Sequence, residues 1–174
     1  MAVTQTGTSG EKDDGTGTTH DLSYAMPADA DFCRVSVSFT DVTATVSSVT
    51  WDQGGTNQAM ARPSGMSTFL ENGDGHRTDE YVLVAPTTGT HTLRVVLSAA
   101  FSGPVIGITA YKGVDQGTPV SGFQSVVSPG PGDTSSPTDL PAVASTTGDM
   151  VVESLGGRFN VTFTVDGSDR KSVV

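Results

Sequence analysis

Lysine and arginine together supply only 9 of the 174 residues, against 19 aspartates and glutamates. Phosphate binding needs a clustered basic footprint, which this chain lacks. A formal charge of −10 therefore argues against nucleic acid, and equally against electrostatic adhesion to an anionic membrane. Cysteine is nearly absent too. Cys33 stands alone, so no disulfide can close within the chain and the core must hold the fold unaided. Between Phe32 and Val35 it reads as a small buried hydrophobe rather than a reactive thiol. No apolar run approaches the roughly 20 residues of a membrane span, so membrane insertion is not expected. No signal peptide precedes the polar start at Met1–Thr4, which favours a virion protein over a conventionally exported one. Strong helix formers are scarce, while Thr, Ser, Val and Gly are abundant.

The apolar residues that are present alternate with polar ones, the period of a half-buried strand. Val35, Val37 and Phe39 share one face within Phe32–Thr40, and Val49 and Trp51 keep step within Val46–Asp52. Leu93, Val95 and Leu97 alternate ahead of a Ser-Gly-Pro turn, and Ile106 and Ile108 resume after it. Thr87–Val120 therefore reads as two adjacent strands ending in an ordered turn at Gly113–Pro119. In that turn Gly113 permits positive φ, Asp115 caps backbone amides and Pro119 sets the exit. Shorter strands are expected at Val3–Thr6, Asp21–Tyr24, Gln58–Ala61 and Tyr81–Ala85. Gly7–Thr19 reads as a low-complexity loop and Arg62–Thr78 as a long excursion. Further strand signals lie at Phe123–Ser128, Met150–Leu155 and Phe159–Val165.

Short strands at this spacing predict an all-β fold, an antiparallel two-sheet β-sandwich of jelly-roll type. The length suits one domain over 1–168, with a loop-rich part at 1–31 and a Pro/Gly/Ser-rich crossing loop at 128–141. The inward set is expected to include Val35, Val37, Phe39, Val49, Trp51, Leu93, Val95, Leu97, Ile106 and Ile108. The last six residues, Asp169–Val174, carry two of the nine basic residues and resemble translated sequencing adapter, a non-native tail. The domain is accordingly expected to be truncated at its C-terminus, leaving core residues such as Val151, Phe163 and Val165 uncovered.

Several segments resemble, in order, a β-sandwich module of bacterial surface and secreted multidomain proteins and of phage structural proteins. They are Val46–Trp51, Ala59–Met60, Glu80–Pro86, Thr88–Leu93 and, most closely, Tyr111–Pro119 with its Gly-Val-Asp-Gln-Gly-Thr-Pro segment; Gly148–Val152 fits a later strand. The resemblance spans about Phe32–Val152. It implies a non-catalytic sandwich in a larger secreted, adhesive or virion protein, and it carries no catalytic residues. Such modules commonly continue for several further strands.

Candidate chemistry is sparse. Glu71, Asp74, Asp79 and Glu80 gather four carboxylates within ten residues of a Gly-containing segment. That segment reads as a solvated acidic loop, or as a weak calcium site whose hard oxygen ligands do not follow EF-hand spacing. Trp51 and Tyr81 could stack on sugar rings, although their place within strands favours core packing. His20-Asp21 and His91 lack a nucleophile elbow, Asp13-Asp14 lacks a rigid platform, and three scattered histidines with one cysteine make no zinc set. Asn160–Thr162 matches a glycosylation sequon, a frequent chance pattern. The functional expectation is a surface-exposed structural or adhesive module, not an enzyme, in a virion or at a bacterial cell surface. Its partners would be other virion or surface proteins, with glycans possible and no cofactor beyond calcium. The alternative is a carbohydrate-binding module of a secreted protein.

Overall fold

Antiparallel pairing organises the chain from its first strand. The computed structural model describes residues 2–13, 15–40, 43–63, 69–70, 76–101, 103–121 and 146–152. These residues form nine strands and no helix: β1 (Thr4–Asp13), β2 (Gly17–Met26), β3 (Phe32–Thr40), β4 (Val46–Trp51), β5 (Gln58–Ala59), β6 (Phe69–Leu70), β7 (His76–Val84), β8 (Gly89–Phe101) and β9 (Val105–Lys112). One sheet has the order β1-β9-β3-β7-β6 and the other β2-β8-β4-β5.

The pairings β1·β9, β2·β8, β3·β7 and β4·β5 are the rungs of one long antiparallel ribbon. That ribbon wraps on itself, and β3·β9 and β4·β8 close the two sheets. This is the strand order of a jelly roll, with β6 added at the edge beside β7. The eight ribbon strands all lie within residues 4–112. Of the residues expected to be uncovered by truncation, Val151 is exposed, whereas Phe163 and Val165 lie outside the described residues.

The alternating residues meet between the sheets. Cys33, Val35, Val37, Phe39, Ile106, Ile108 and Ala110 from one sheet face Leu22, Tyr24, Val49, Trp51, Leu93, Val95 and Leu97 from the other. All ten residues expected inward are buried. β8 and β9, consecutive in sequence, lie in opposite sheets, joined through Gly103 (φ 71°) and the buried Pro104. A smaller apolar cluster forms on the outer face of the five-stranded sheet, where Val114 packs against Phe32 and Tyr111.

Two expectations are corrected. The segment read as a loop at Gly7–Thr19 belongs mostly to β1 and β2, so the N-terminal part of the chain is sheet. Threonine is β-branched and suits a pleated surface, and an edge strand tolerates glycine at a bulge, here between Thr6 and Gly10 with Gly7 at φ 67°. Gly10 is also a close approach: a Cβ there would stand 2.7 Å from the Tyr24 ring. The excursion read over Arg62–Thr78 is strand at Phe69–Leu70 and from His76 onward, while 64–68 and 71–75 lie outside the described residues. β7 begins at His76, β6 pairs with it, and Ala61 bridges Val82. The charges of Arg77 and Asp79 concealed the strand, and the structure neutralises them against each other.

Burial pushes the Cys33 thiol up to about 12. Since the thiolate is the reactive form, a disulfide-exchange reagent at mildly alkaline pH is expected to leave folded protein unmodified and to label it fully in denaturant. Rapid stoichiometric labelling without denaturant would contradict the burial.

Candidate functional site

The residues proposed to stack on sugars do not present their rings. Trp51 is 0% exposed, with Tyr24 and His91 edge-on at centroid distances of 6.1 and 5.7 Å. Its indole N–H donates to the Thr87 carbonyl at 2.8 Å. Tyr81 points inward opposite Val35, and the Arg62 guanidinium lies 5.5 Å from its ring centroid while Nε donates to its hydroxyl at 3.2 Å. Burial pushes the Tyr81 hydroxyl up, against the pull of that Arg62 bond. Both aromatics are core residues, and the stacking assignment is corrected accordingly.

The acidic segment resolves differently. Glu71 and Asp74 lie outside the described residues. Asp79 is fully buried between two cations, with Arg62 Nη2 2.7 Å from one carboxylate oxygen and Arg77 Nε 2.7 Å from the other. Arg34 Nη2 donates to Glu80 Oε1 at 2.8 Å, and the Arg34 Nε lies 2.7 Å from Oε2 in the same ion pair. Neighbouring residues on a strand point to opposite faces, so Asp79 enters the core side of β7 and Glu80 the outer side. One ion cannot collect both, and each is already neutralised. Asp79 and Glu80 are therefore removed from the calcium ligand set. Among the described residues no group of three or more His, Cys, Asp and Glu gathers around a common point.

The histidines follow the same logic. His20 is buried on the core face of β2, its Nε2 3.0 Å from the Gly17 carbonyl. Asp21 points the other way and holds Arg94 by two bonds of 2.7 and 2.6 Å. His20 and Asp21 thus form no dyad.

The polar group that the fold does assemble was not visible as a set in the sequence. It joins the turn after β4 and the start of β5 to the β7–β8 connection and the start of β8. Asp52 adopts φ 52° and caps its turn, with Oδ2 accepting the amide and the hydroxyl of Thr56, each at 2.8 Å. A Cβ on Gly55 would stand 2.2 Å from Asp52 Oδ1, so a larger residue there would push the carboxylate out of its capping position. His91 Nδ1 lies 2.8 Å from Asp52 Oδ1, and its Nε2 lies 3.0 Å from the Thr88 carbonyl. Gln58 Oε1 accepts the amide of Thr87 at 2.7 Å and its hydroxyl at 2.9 Å, while Nε2 donates to the Ala85 carbonyl at 3.1 Å. The hydroxyls of Thr56 and Thr87 are 3.1 Å apart. Trp51 forms the floor beneath this network through its bond to Thr87. The only sequence signal was the turn chemistry of residues 52–57, which does not reveal the partners near residue 90.

The amide and hydroxyl of Thr56, then the His91 ring, hold the Asp52 carboxyl below the usual carboxylate range. A depressed carboxyl contributes stability above its unfolded value of about 3.9 and loses it as the pH falls through the lower folded value. Wild-type protein is therefore expected to lose more stability than Asp52→Asn on acidification from roughly pH 6 to pH 2.5. Urea midpoints measured across that range check it, and parallel curves for the two proteins would refute it.

Gly113–Pro119 is a capped turn, as its composition predicts. Gly113 has φ 80°, and the Asp31 carboxylate accepts the amides of Gly113 and Val114 at 2.7 and 3.3 Å. Asp115 accepts those of Gly117 and Thr118 at 2.7 and 3.0 Å, bonds that hold its carboxyl low. Two open depressions flank this segment. One of about 300 Å³ lies against Val3, Gly113–Asp115 and 147–149, and one of about 280 Å³ lies against Arg62, Pro63, Val82 and 117–120. Compared with known proteins, the chain matches no family model, no curated protein and no solved structure.

Proposed function

We propose that the chain is a non-catalytic, surface-exposed structural or adhesive module of a phage virion or a bacterial cell-surface protein. The observation that carries this reading is how acids and imidazoles among the described residues are used. Asp79, Glu80, Asp21, Asp52, His20 and His91 are each engaged by a neighbouring cation, amide, hydroxyl or carbonyl in holding strands and turns together. A turnover site would instead direct such groups into a cleft. The jelly-roll strand order is in keeping with virion and lectin modules, although fold alone does not decide function. The acidic charge makes protein or glycan surfaces better partners than nucleic acid.

Sequencing the flanking genes tests the setting. Adjacent tail or capsid genes are expected for the virion reading, and an in-frame upstream export signal for the cell-surface reading. A glycan array on the purified protein tests the role, and selective sugar binding would move the assignment to a carbohydrate-binding module. Weak calcium binding by Glu71–Glu80 would have to proceed without Asp79 and Glu80. A higher melting temperature in millimolar calcium than in chelator reads it, because a ligand of the native state alone raises stability.

A further inference from the structure

The network around Gln58 and Thr87 holds the parts of an acyl-transfer reaction, and we propose that these two side chains join as an intramolecular ester. Thr87 supplies the hydroxyl nucleophile and Gln58 the carboxamide. The Thr87 amide donates to Gln58 Oε1 at 2.7 Å, the place of an oxyanion donor, because negative charge gathers on that oxygen as the carbonyl is attacked. The Gln58 amide is oriented by its partners: Oε1 faces two donors of Thr87 and Nε2 faces the Ala85 carbonyl.

The Thr87 hydroxyl has two acceptors within reach, Gln58 Oε1 at 2.9 Å and Thr56 Oγ1 at 3.1 Å. Turning its proton toward Thr56 frees a lone pair for the Gln58 carbonyl carbon. Thr56 already donates to Asp52 Oδ2 at 2.8 Å, so a path for the proton runs from Thr87 through Thr56 to a carboxylate. His91 holds the other oxygen of that carboxylate and acts as a positioning residue.

The step balances without any co-reactant. The bond from Thr87 Oγ to Gln58 Cδ forms, and the bond from Cδ to Nε2 breaks. The proton lost by Thr87 returns to the departing nitrogen, which leaves as ammonia. Protonation and dilution of ammonia draw the reaction forward, and fixed neighbours replace the encounter of a bimolecular reaction. It occurs once per chain, and it would tie the start of β5 to the β7–β8 connection in a chain that cannot form an internal disulfide.

Intact-mass measurement of the full chain decides it. The expected result is a mass lower by one ammonia, with trypsin releasing a branched species that joins Val35–Arg77 to Thr78–Arg94. Hydroxylamine should separate the two peptides. Thr87→Val is expected to keep the full mass, Thr87→Ser to react, and Asp52→Asn to accumulate product more slowly. Unmodified wild-type mass after prolonged incubation overturns the proposal, whether or not the variants fold. So does ammonia loss confined to a single peptide, or ammonia loss that persists in Thr87→Val. An unmodified chain leaves the display-module reading to its own tests.

Discussion

Replacing Asp79 with alanine is expected to lower the unfolding free energy by about 3–5 kcal/mol, the cost of stranding a buried charge whose partner has been removed. Asp79 is the shared anion of two arginines. The Arg77 side chain is 9% exposed and cannot turn to water, whereas that of Arg62, at 32%, can. The loss therefore falls mainly on Arg77. Pairing Asp79→Leu with Arg77→Met is expected to recover most of the stability, because an apolar replacement of a whole buried pair removes both desolvation costs. Urea denaturation of the single and double variants tests this. A single variant within about 0.5 kcal/mol of wild type, the range of ordinary surface changes, would show that the cluster is not buried in solution.

Trp51→Ala is expected to cost about 3–5 kcal/mol, the range for deleting a fully buried large aromatic. The indole fills the end of the sandwich between Tyr24 and His91, and its N–H anchors the Thr87 carbonyl. Removing it opens a cavity and unseats the connection on which the Gln58 network is built. Trp51→Phe is expected to keep most of the packing and lose roughly 1 kcal/mol with the hydrogen bond. A domain of this kind has about 5–15 kcal/mol in total, so the alanine variant approaches the unfolding threshold. Equal melting temperatures for Trp51→Ala and wild type would return Trp51 to the surface, and with it the sugar-stacking role.

The local pattern was legible where residues alternate without interruption. Val35, Val37 and Phe39 in β3, and Leu93, Val95 and Leu97 in β8, were assigned to the core and lie there. It failed where a strand is polar on both faces. β1 is rich in Thr, Ser and Gly, and β7 opens with charged residues, so neither shows the apolar half of the alternation. Burial of Asp79 was unreadable from its neighbours, because half of its compensation comes from Arg62 in a different part of the chain.

By itself the sequence determined the strand period, the inward set of β3, β4, β8 and β9, the capped turn at Gly113–Pro119 and the lack of an internal disulfide. These depend on one residue and its near neighbours, which backbone geometry and side-chain chemistry dictate directly. Tertiary structure alone decided which strands pair, why β8 and β9 stand in opposite sheets, and how Asp52, Gln58, Thr87 and His91 come together. The physical reason is that alternation specifies a face but not a partner. Every exposed strand edge offers the same backbone donors and acceptors, so only wrapping the ribbon around one shared core selects among them.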